Sequence, residues 1–352
     1  MNNTKLLIIG GLPNEKYHCR YGGATVLMKN FVEFLTTNNY QYKFVQTNKF
    51  INTKTLELKP RLNKLYFLFY FLLYLPWCEV VMFNFSDHAT INLFPKLQKI
   101  AKLLGKKVVL RKFGGSYDLS LAKVPPKQQQ MSLLALAHSD AVFFETKAGI
   151  AHLKSLIGDS SKIHWFPNVR NEAPLIKDRN RYEKKIVFMS HISNEKGVAD
   201  LLKISEELRG EYTIDLYGAI KEDQYKDYEW NKHGVNYCNQ IPSEEVMQRL
   251  PAYSLLILPS YREGYPGIII EALSAGVPII STNVGGIPEI IQDGYNGKLV
   301  EPGNVRGFIK AIKSINEDNY CSYSSNALKS FNDNFCATMI NDRILKIIKS
   351  IC

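Results

Sequence analysis

The strongest constraint in this chain is an alternation. Short β-rich runs and amphipathic stretches take turns along it, break off once, and then resume. "KLLIIG" (Lys5 to Gly10) reads as a strand, and "GATVLMKNFVEFLTT" (Gly23 to Thr37) has helical periodicity. "YKFVQT", "EVVMFNF", "KKVVLRKF", "DAVFFET" and "KIHWFPN" follow as strand candidates. Helical stretches fall between most of them, at Asn92 to Leu104, Lys127 to His138 and Lys147 to Leu156. Strands that alternate with helices pair in parallel, so the pattern predicts β-α-β units and a doubly wound sheet. A polar, charged stretch, "NVRNEAPLIKDRNRYEKK", reads as a linker. The alternation then restarts with "KIVFMSH", "YTIDLYG", "GVNYCN", "SLLILPS", "VPIIST" and "GKLV". The expected organisation is therefore α/β with two Rossmann-like domains. Residues 1–170 form the first, 171–185 the linker and 186–333 the second. A helix is expected at Val305 to Ile315. A last helix, within 334–352, is expected to pack back on the first domain.

The 352 residues suit two domains, and 45 % hydrophobic with 22 % charged residues is an ordinary globular composition. The six cysteines are scattered without a C-x-x-C pair, so neither a disulfide framework nor a zinc site is suggested. The opening "MNNTKLLIIGG" does not read as a signal peptide, because its apolar run is short and leads into a turn. The net charge of +11 favours an anionic partner, such as a phosphorylated substrate or a phospholipid surface. Nucleic acid is not expected, since the charge is spread along the chain and no binding motif accompanies it.

"LYFLFYFLLYLPW" (Leu65 to Trp77) is uncharged but too short to span a bilayer. Two readings stand. One is a buried core helix, with Phe67, Phe71 and Leu75 inside. The other is an interfacial helix, favoured by its aromatic residues and by Lys54, Lys59, Arg61 and Lys64 just upstream.

The residues that carry chemistry lie in "YREGYPGIIIEALSAG" (Tyr261 to Gly276). The apolar "SLLILPS" ends as a strand, "YREGYPG" turns, and "GIIIEALSAG" runs as a short helix. Pro266 suits its first turn and Gly276 its C-terminal cap. A helix start exposes unpaired N–H groups and partial positive charge, which suits a diphosphate. Glu263 lies just before that start, and Glu271 lies about one turn inside it. The two carboxylates flank the anion position. A nucleotide-sugar has the same order of sugar, diphosphate and ribose, and carboxylates accept hydrogen bonds from hydroxyls.

The spacing of Glu263 and Glu271, followed by "ALSAGVPIISTNVGGIPEIIQDGYNGKLVEPGN", resembles the retaining glycosyltransferases of family 4, which have the GT-B fold of two domains facing across a cleft. In the first domain, "YGGATVLMKNFVEFL" resembles the family's glycine-rich loop and helix. The resemblance implies that Glu263 contacts the transferred sugar and that Glu271 binds the ribose. It implies that the turn Gly264, Tyr265, Pro266, Gly267 and Ile268 meets the sugar and phosphates through backbone N–H groups. Lys196, in "SHISNEKG", fits the lysine that neutralises the diphosphate. His191 stands where most members have an arginine, so a fixed bidentate charge is missing there. Gly22 and Gly23 match the loop that approaches the phosphates, where a Cβ would intrude. In "RKFGGSYDLSL", Phe113, Gly114 and Gly115 stand where many members have a histidine. Gly114, Gly115 and Ser116 are assigned to the acceptor side of the cleft. His88 and His138 are read as structural.

No Asp-x-Asp pair and no His/Cys cluster of ligand spacing occurs, so no metal or other cofactor is expected. Lys196 and the helix N–H groups would stabilise the leaving diphosphate. Retention follows from the resemblance. With no carboxylate placed as a nucleophile, a front-face reaction through an oxocarbenium-like state is expected. The expected donor is a nucleotide-diphosphate sugar. The expected acceptor is a glycan, lipid-linked, in bacterial surface polysaccharide synthesis, on the inner face of the cytoplasmic membrane. The rivals are a soluble-acceptor glycosyltransferase, a nucleotide-sugar epimerase of the same fold and a non-catalytic sugar-binding protein.

Overall fold

The computed structural model describes residues 4–13, 23–49, 59–114, 117–158, 161–173 and 181–352, without the side chains of residues 59 and 60. It divides into two compact units: Met1–Asn168 with Thr338–Cys352, and Val169–Ala337. Each is built on a six-stranded sheet, and every pairing within it is parallel.

The first unit holds β1 (Leu6–Gly10), β2 (Tyr42–Gln46), β3 (Val80–Phe85), β4 (Lys107–Lys112), β5 (Ala141–Phe144) and β6 (Ile163–Trp165). Their order across the sheet is β2-β1-β3-β4-β5-β6. The second unit holds β7 (Lys185–Met189), β8 (Thr213–Tyr217), β9 (Val235–Tyr237), β10 (Leu255–Leu258), β11 (Ile279–Thr282) and β12 (Gly297–Val300). Their order is β12-β11-β10-β7-β8-β9. The central strands are largely apolar because helices cover both faces of such a sheet. Leu7, Ile8, Ile9, Val80 to Phe83 and Leu255 to Leu258 are all buried.

The chain does not divide at residue 170 as the sequence suggests. Val169 and Arg170 belong to the second unit. There Arg170 N donates to Phe335 O at 3.0 Å, and Ala337 N donates to Arg170 O at 2.9 Å. Residues 174–180 of the expected linker lie outside the described residues. The expected last helix is present as Ala337–Ser350, and Thr338–Cys352 groups with the first unit. A helix not expected from the sequence, Glu317–Asn334, precedes it. It was hidden by its Ser- and Asn-rich composition, which has weak helix propensity. A capping box at Asn316 starts it, and Tyr320, Ser324, Ala327 and Phe331 form its buried stripe. The expected helix Asn92 to Leu104 is found as Phe94–Leu103, and a short helix, Asp87–Asn92, precedes it.

The aromatic run lies on the helix Lys59–Tyr74 and the turn after it. The run divides between two faces, one packed into the core as the first reading has it and one exposed. Phe67, Phe71 and Leu75 pack into the core with Phe83 and Phe94. Leu65, Phe69 and Leu73 face outward and are 65 %, 61 % and 53 % exposed, and Leu62, Leu68 and Leu72 join them. No described helix is long and apolar enough to cross a membrane. No disulfide joins the described cysteines.

The two faces should differ sharply in cost. Phe71→Ala should remove about 3–5 kcal/mol of stability in denaturant unfolding, as for other large-to-small core changes. Leu65→Ala should stay within about 0.5 kcal/mol, as expected of a surface site. Equal costs at the two positions would contradict this division of faces.

Candidate functional site

The order of the second sheet fixes where a ligand would sit. β7 and β10 are neighbours, yet the chain leaves β7 toward β8 and leaves β10 toward β11 on the other side. The connections part at this point and leave a crevice at the carboxyl ends of the two strands, the usual ligand position in open α/β sheets. The loop after β7 carries His191 and Lys196, and the loop after β10 carries Glu263.

Main-chain packing laces these loops together. Tyr261 N donates to Glu195 O at 2.9 Å. Tyr261 Oη donates to Asp200 Oδ2 at 2.5 Å. Gly197 has φ +74°, and a Cβ there would fall 2.0 Å from the carbonyl oxygen of Pro259. The result brings Lys196 Nζ to 2.8 Å from Glu263 Oε1, with both side chains largely buried. Ser260 Oγ donates to the same oxygen at 2.8 Å. Among the described residues no donor reaches Glu263 Oε2.

The turn Gly264 to Pro266 is held from behind by "NVGGIPEI". Gly286 N donates to Gly264 O at 2.7 Å. A Cβ on Gly285, at φ +57°, would lie 2.0 Å from Glu263 O. Tyr265 is buried, with its ring 6.4 Å from that of Phe335. Pro266 is the N-cap of the helix Gly267–Ser274 and not part of its first turn, because its ψ of 119° is extended. No side chain caps that turn, so the N–H groups of Gly267 and Ile268 lead a helix start open to an anion. Gly276 closes the helix at φ +65°. Its N–H donates to Leu273 O, and Val277 N donates to Ala272 O, a Schellman pair. Glu271 Oε1 accepts from Arg170 Nε at 2.6 Å.

His191 is exposed as a residue, but its surroundings lower its pKa below the ordinary 6.5. Desolvation comes first, then the charges of Lys221 and Lys196, with Glu263 opposing. The imidazole is therefore neutral at neutral pH and offers no fixed charge. Among the described residues no three His, Cys, Asp or Glu side chains come together as ligands for an ion.

The second unit thus gathers His191, Lys196, Glu263, the turn Gly264 to Ile268, and Glu271. Gly23 and Gly114 belong to the first unit. Gly23 opens the helix Gly23–Thr37, and a Cβ there would meet nothing within 4 Å, so packing does not demand the glycine. Gly114 has φ +90°. Its N–H donates to the buried Glu145 at 2.7 Å, and its carbonyl accepts from the buried Lys112. Gly22, Gly115 and Ser116 lie outside the described residues. His138 caps its own helix through Nδ1 and Leu134 O, 2.7 Å apart, a structural role. Sequence reasoning missed Arg170, which it placed at the end of the first domain. "PNVR" carries no local sign that its arginine pairs with a glutamate far along the chain.

Residues 183–318 match the family model described as "Glycosyl transferases group 1". A lipopolysaccharide 1,6-galactosyltransferase of Escherichia coli (strain K12) is 36 % identical over 172 residues, 44 % of this chain and 45 % of that protein. A 2-deoxystreptamine N-acetyl-D-glucosaminyltransferase of Niallia circulans is 34 % identical over 145 residues, 39 % of this chain and 37 % of that protein. The chain therefore spans less than half the length of either relative. Among solved structures, Anabaena Alr3699/HepE in complex with UDP superposes with a TM-score of 0.71 at 16 % identity, over 99 % of this chain and all of that one. The fold is GT-B, with two Rossmann-like domains.

Gly285 supplies a direct check on the turn. Gly285→Ala should cost more than about 1 kcal/mol, because alanine is strained at positive φ and its Cβ must displace the Glu263 carbonyl. The loss should appear in thermal or denaturant melting. Unchanged stability would contradict the close packing behind Glu263.

Proposed function

We propose that this chain is a retaining, metal-independent glycosyltransferase of family 4. It moves a sugar from a nucleotide-diphosphate sugar to a glycan acceptor. The observation that carries the reading is the switch-point crevice of the second unit. There Lys196 and Glu263 are paired at 2.8 Å before a helix start that no side chain caps, and Glu271 lies one turn inside it. Supporting it are the family match over this unit and the UDP-bound structure of similar fold.

Each residue then has a task. The Lys196 ammonium and the first-turn N–H groups of the helix meet the diphosphate. They stabilise the charge that grows on it as the glycosidic bond breaks. Glu263 is oriented through Oε1 by Lys196 and Ser260, and its Oε2 accepts a hydroxyl of the sugar. Glu271 accepts the ribose hydroxyls. Glu263 is already engaged as a positioning group, so retention is assigned to front-face departure and attack.

The acceptor is proposed to be a lipid-linked glycan of bacterial surface polysaccharide synthesis, met on the inner face of the cytoplasmic membrane. The lipopolysaccharide relative supports this reading, and so does the outward apolar face of the helix Lys59–Tyr74. Basic groups surround that helix. Lys43 Nζ lies 4.4 Å from the Tyr74 ring centroid, and Lys49 Nζ lies 4.6 Å from that of Tyr66. Arg61 and Lys64 are exposed on the helix itself. An apolar stripe with cations near it fits an anionic lipid surface.

Two experiments test the reading. In the first, the purified chain is screened for hydrolysis and transfer with UDP-, GDP- and dTDP-sugars. Glu271→Ala should mainly weaken nucleotide binding, and Glu263→Ala should mainly lower turnover. Lys196→Ala should cut transfer by on the order of 10²-fold, comparable to losing one oxyanion-hole donor. EDTA should leave activity nearly intact. Conversion of the donor sugar with no acceptor would indicate an epimerase, and full inactivation by EDTA reversed by Mg²⁺ or Mn²⁺ would refute metal independence.

The second experiment addresses the membrane. The chain should co-sediment with vesicles containing anionic lipid and be released by salt, as the Debye length shrinks from about 10 Å at 0.1 M to about 3 Å at 1 M. Replacing Phe69 and Leu73 with serine should abolish binding without lowering the melting temperature. A wild-type chain that ignores such vesicles would remove the membrane part and leave the transferase part standing.

A further inference from the structure

Arg170 is held on two sides in the second unit. Its main chain is bonded to Phe335 and Ala337. Its side chain is only 11 % exposed. Nε donates to Glu271 Oε1 at 2.6 Å, and Nη1 donates to Val169 O at 3.0 Å. Nη2 occupies the space beside Gly267, 1.9 Å from where a Cβ on that residue would stand. One planar group therefore reaches from the carboxylate assigned to ribose to the first residue of the helix assigned to the diphosphate.

This placement has a cost in the unliganded chain. The positive guanidinium lies against the positive end of a helix, with little of its surface in water. Glu271 offsets the charge on the Nε side. Nη2 has no acceptor among the described residues. Such an arrangement is relieved by an anion at the helix start that takes charge-assisted hydrogen bonds from Nη2. The neutral state of His191 adds to the need, since fixed positive charge must come from lysine or arginine. Glycine at 267 is what admits the guanidinium: any side chain there would meet it.

We propose that Arg170 is a donor-binding residue, with Nη2 contacting the donor diphosphate while Nε holds Glu271 toward the ribose. The inference rests on the reading of this unit as a nucleotide-sugar site. Arg170 thereby ties the two halves of the nucleotide, phosphate and ribose, to one side chain. Lys196 remains the cation on the sugar side, through its pairing with Glu263.

The test is titration calorimetry with UDP and uridine, and with GDP and guanosine, on the wild type and on Arg170→Ala, Arg170→Gln, Arg170→Lys and Gly267→Ala. Arg170→Ala and Arg170→Gln should weaken the diphosphate by roughly 10-fold or more, the size of one lost charge-assisted contact, and the nucleoside by clearly less. Arg170→Lys should recover part of the diphosphate affinity. Gly267→Ala, which leaves the arginine in the chain but displaces Nη2, should reproduce the diphosphate loss. Arg170→Gln keeps much of the side chain's volume, so it decides the matter if the alanine variant fails to fold. Undiminished diphosphate binding in the variants would overturn the inference alone, as would equal losses for diphosphate and nucleoside. A wild type that binds neither UDP nor GDP would overturn the donor-site reading beneath it.

Discussion

The candidate site depends on one contact, the ion pair between Lys196 and Glu263. The two residues come from loops far apart in the chain. They meet because β7 and β10 are neighbours in the sheet and their loops pass within main-chain contact. Lys196 keeps 17 % of its side-chain surface and Glu263 keeps 8 %. Withdrawing two charges from water is expensive, and an apolar pair of similar volume often holds a fold at least as well. An ion pair retained at the mouth of a switch-point crevice therefore points to use and not to stability. In the reading proposed above, it fixes a carboxylate beside the sugar and an ammonium beside the leaving diphosphate.

Close backbone packing makes the pair possible. Gly197 lies against Pro259, and Gly285 against Glu263, each at a distance that excludes a Cβ. These contacts also explain which parts of the site were legible in the sequence. The strands were readable because buried parallel strands are short apolar runs, and "SLLILPS" and "VPIIST" are plain examples. The helix start was readable because Pro266 and Gly276 punctuate it, although Pro266 proved to be the cap and not the first turn. Glu263 and Glu271 stood out as carboxylates on either side of that start.

What was not legible is tertiary. Arg170 pairs with a residue a hundred positions away, and nothing in "PNVR" announces it. The helix Glu317–Asn334 is polar and weak in propensity, and its buried stripe of Tyr320, Ser324, Ala327 and Phe331 carries it. The aromatic helix Lys59–Tyr74 set a choice between core and surface that the sequence could not make, because both faces are apolar. One face fills the core beside Phe83, and the other stands open with lysines and arginines near it. The open face and the crevice belong to different units of the chain.

The most direct measurement of the central claim is a crystal structure of the chain with UDP bound. The account predicts the diphosphate at the start of the helix Gly267–Ser274, within hydrogen-bond distance of Lys196, and the ribose hydroxyls on Glu271. UDP bound elsewhere in the chain, or at this crevice with its ribose and phosphates turned away from Glu271 and Lys196, would contradict it.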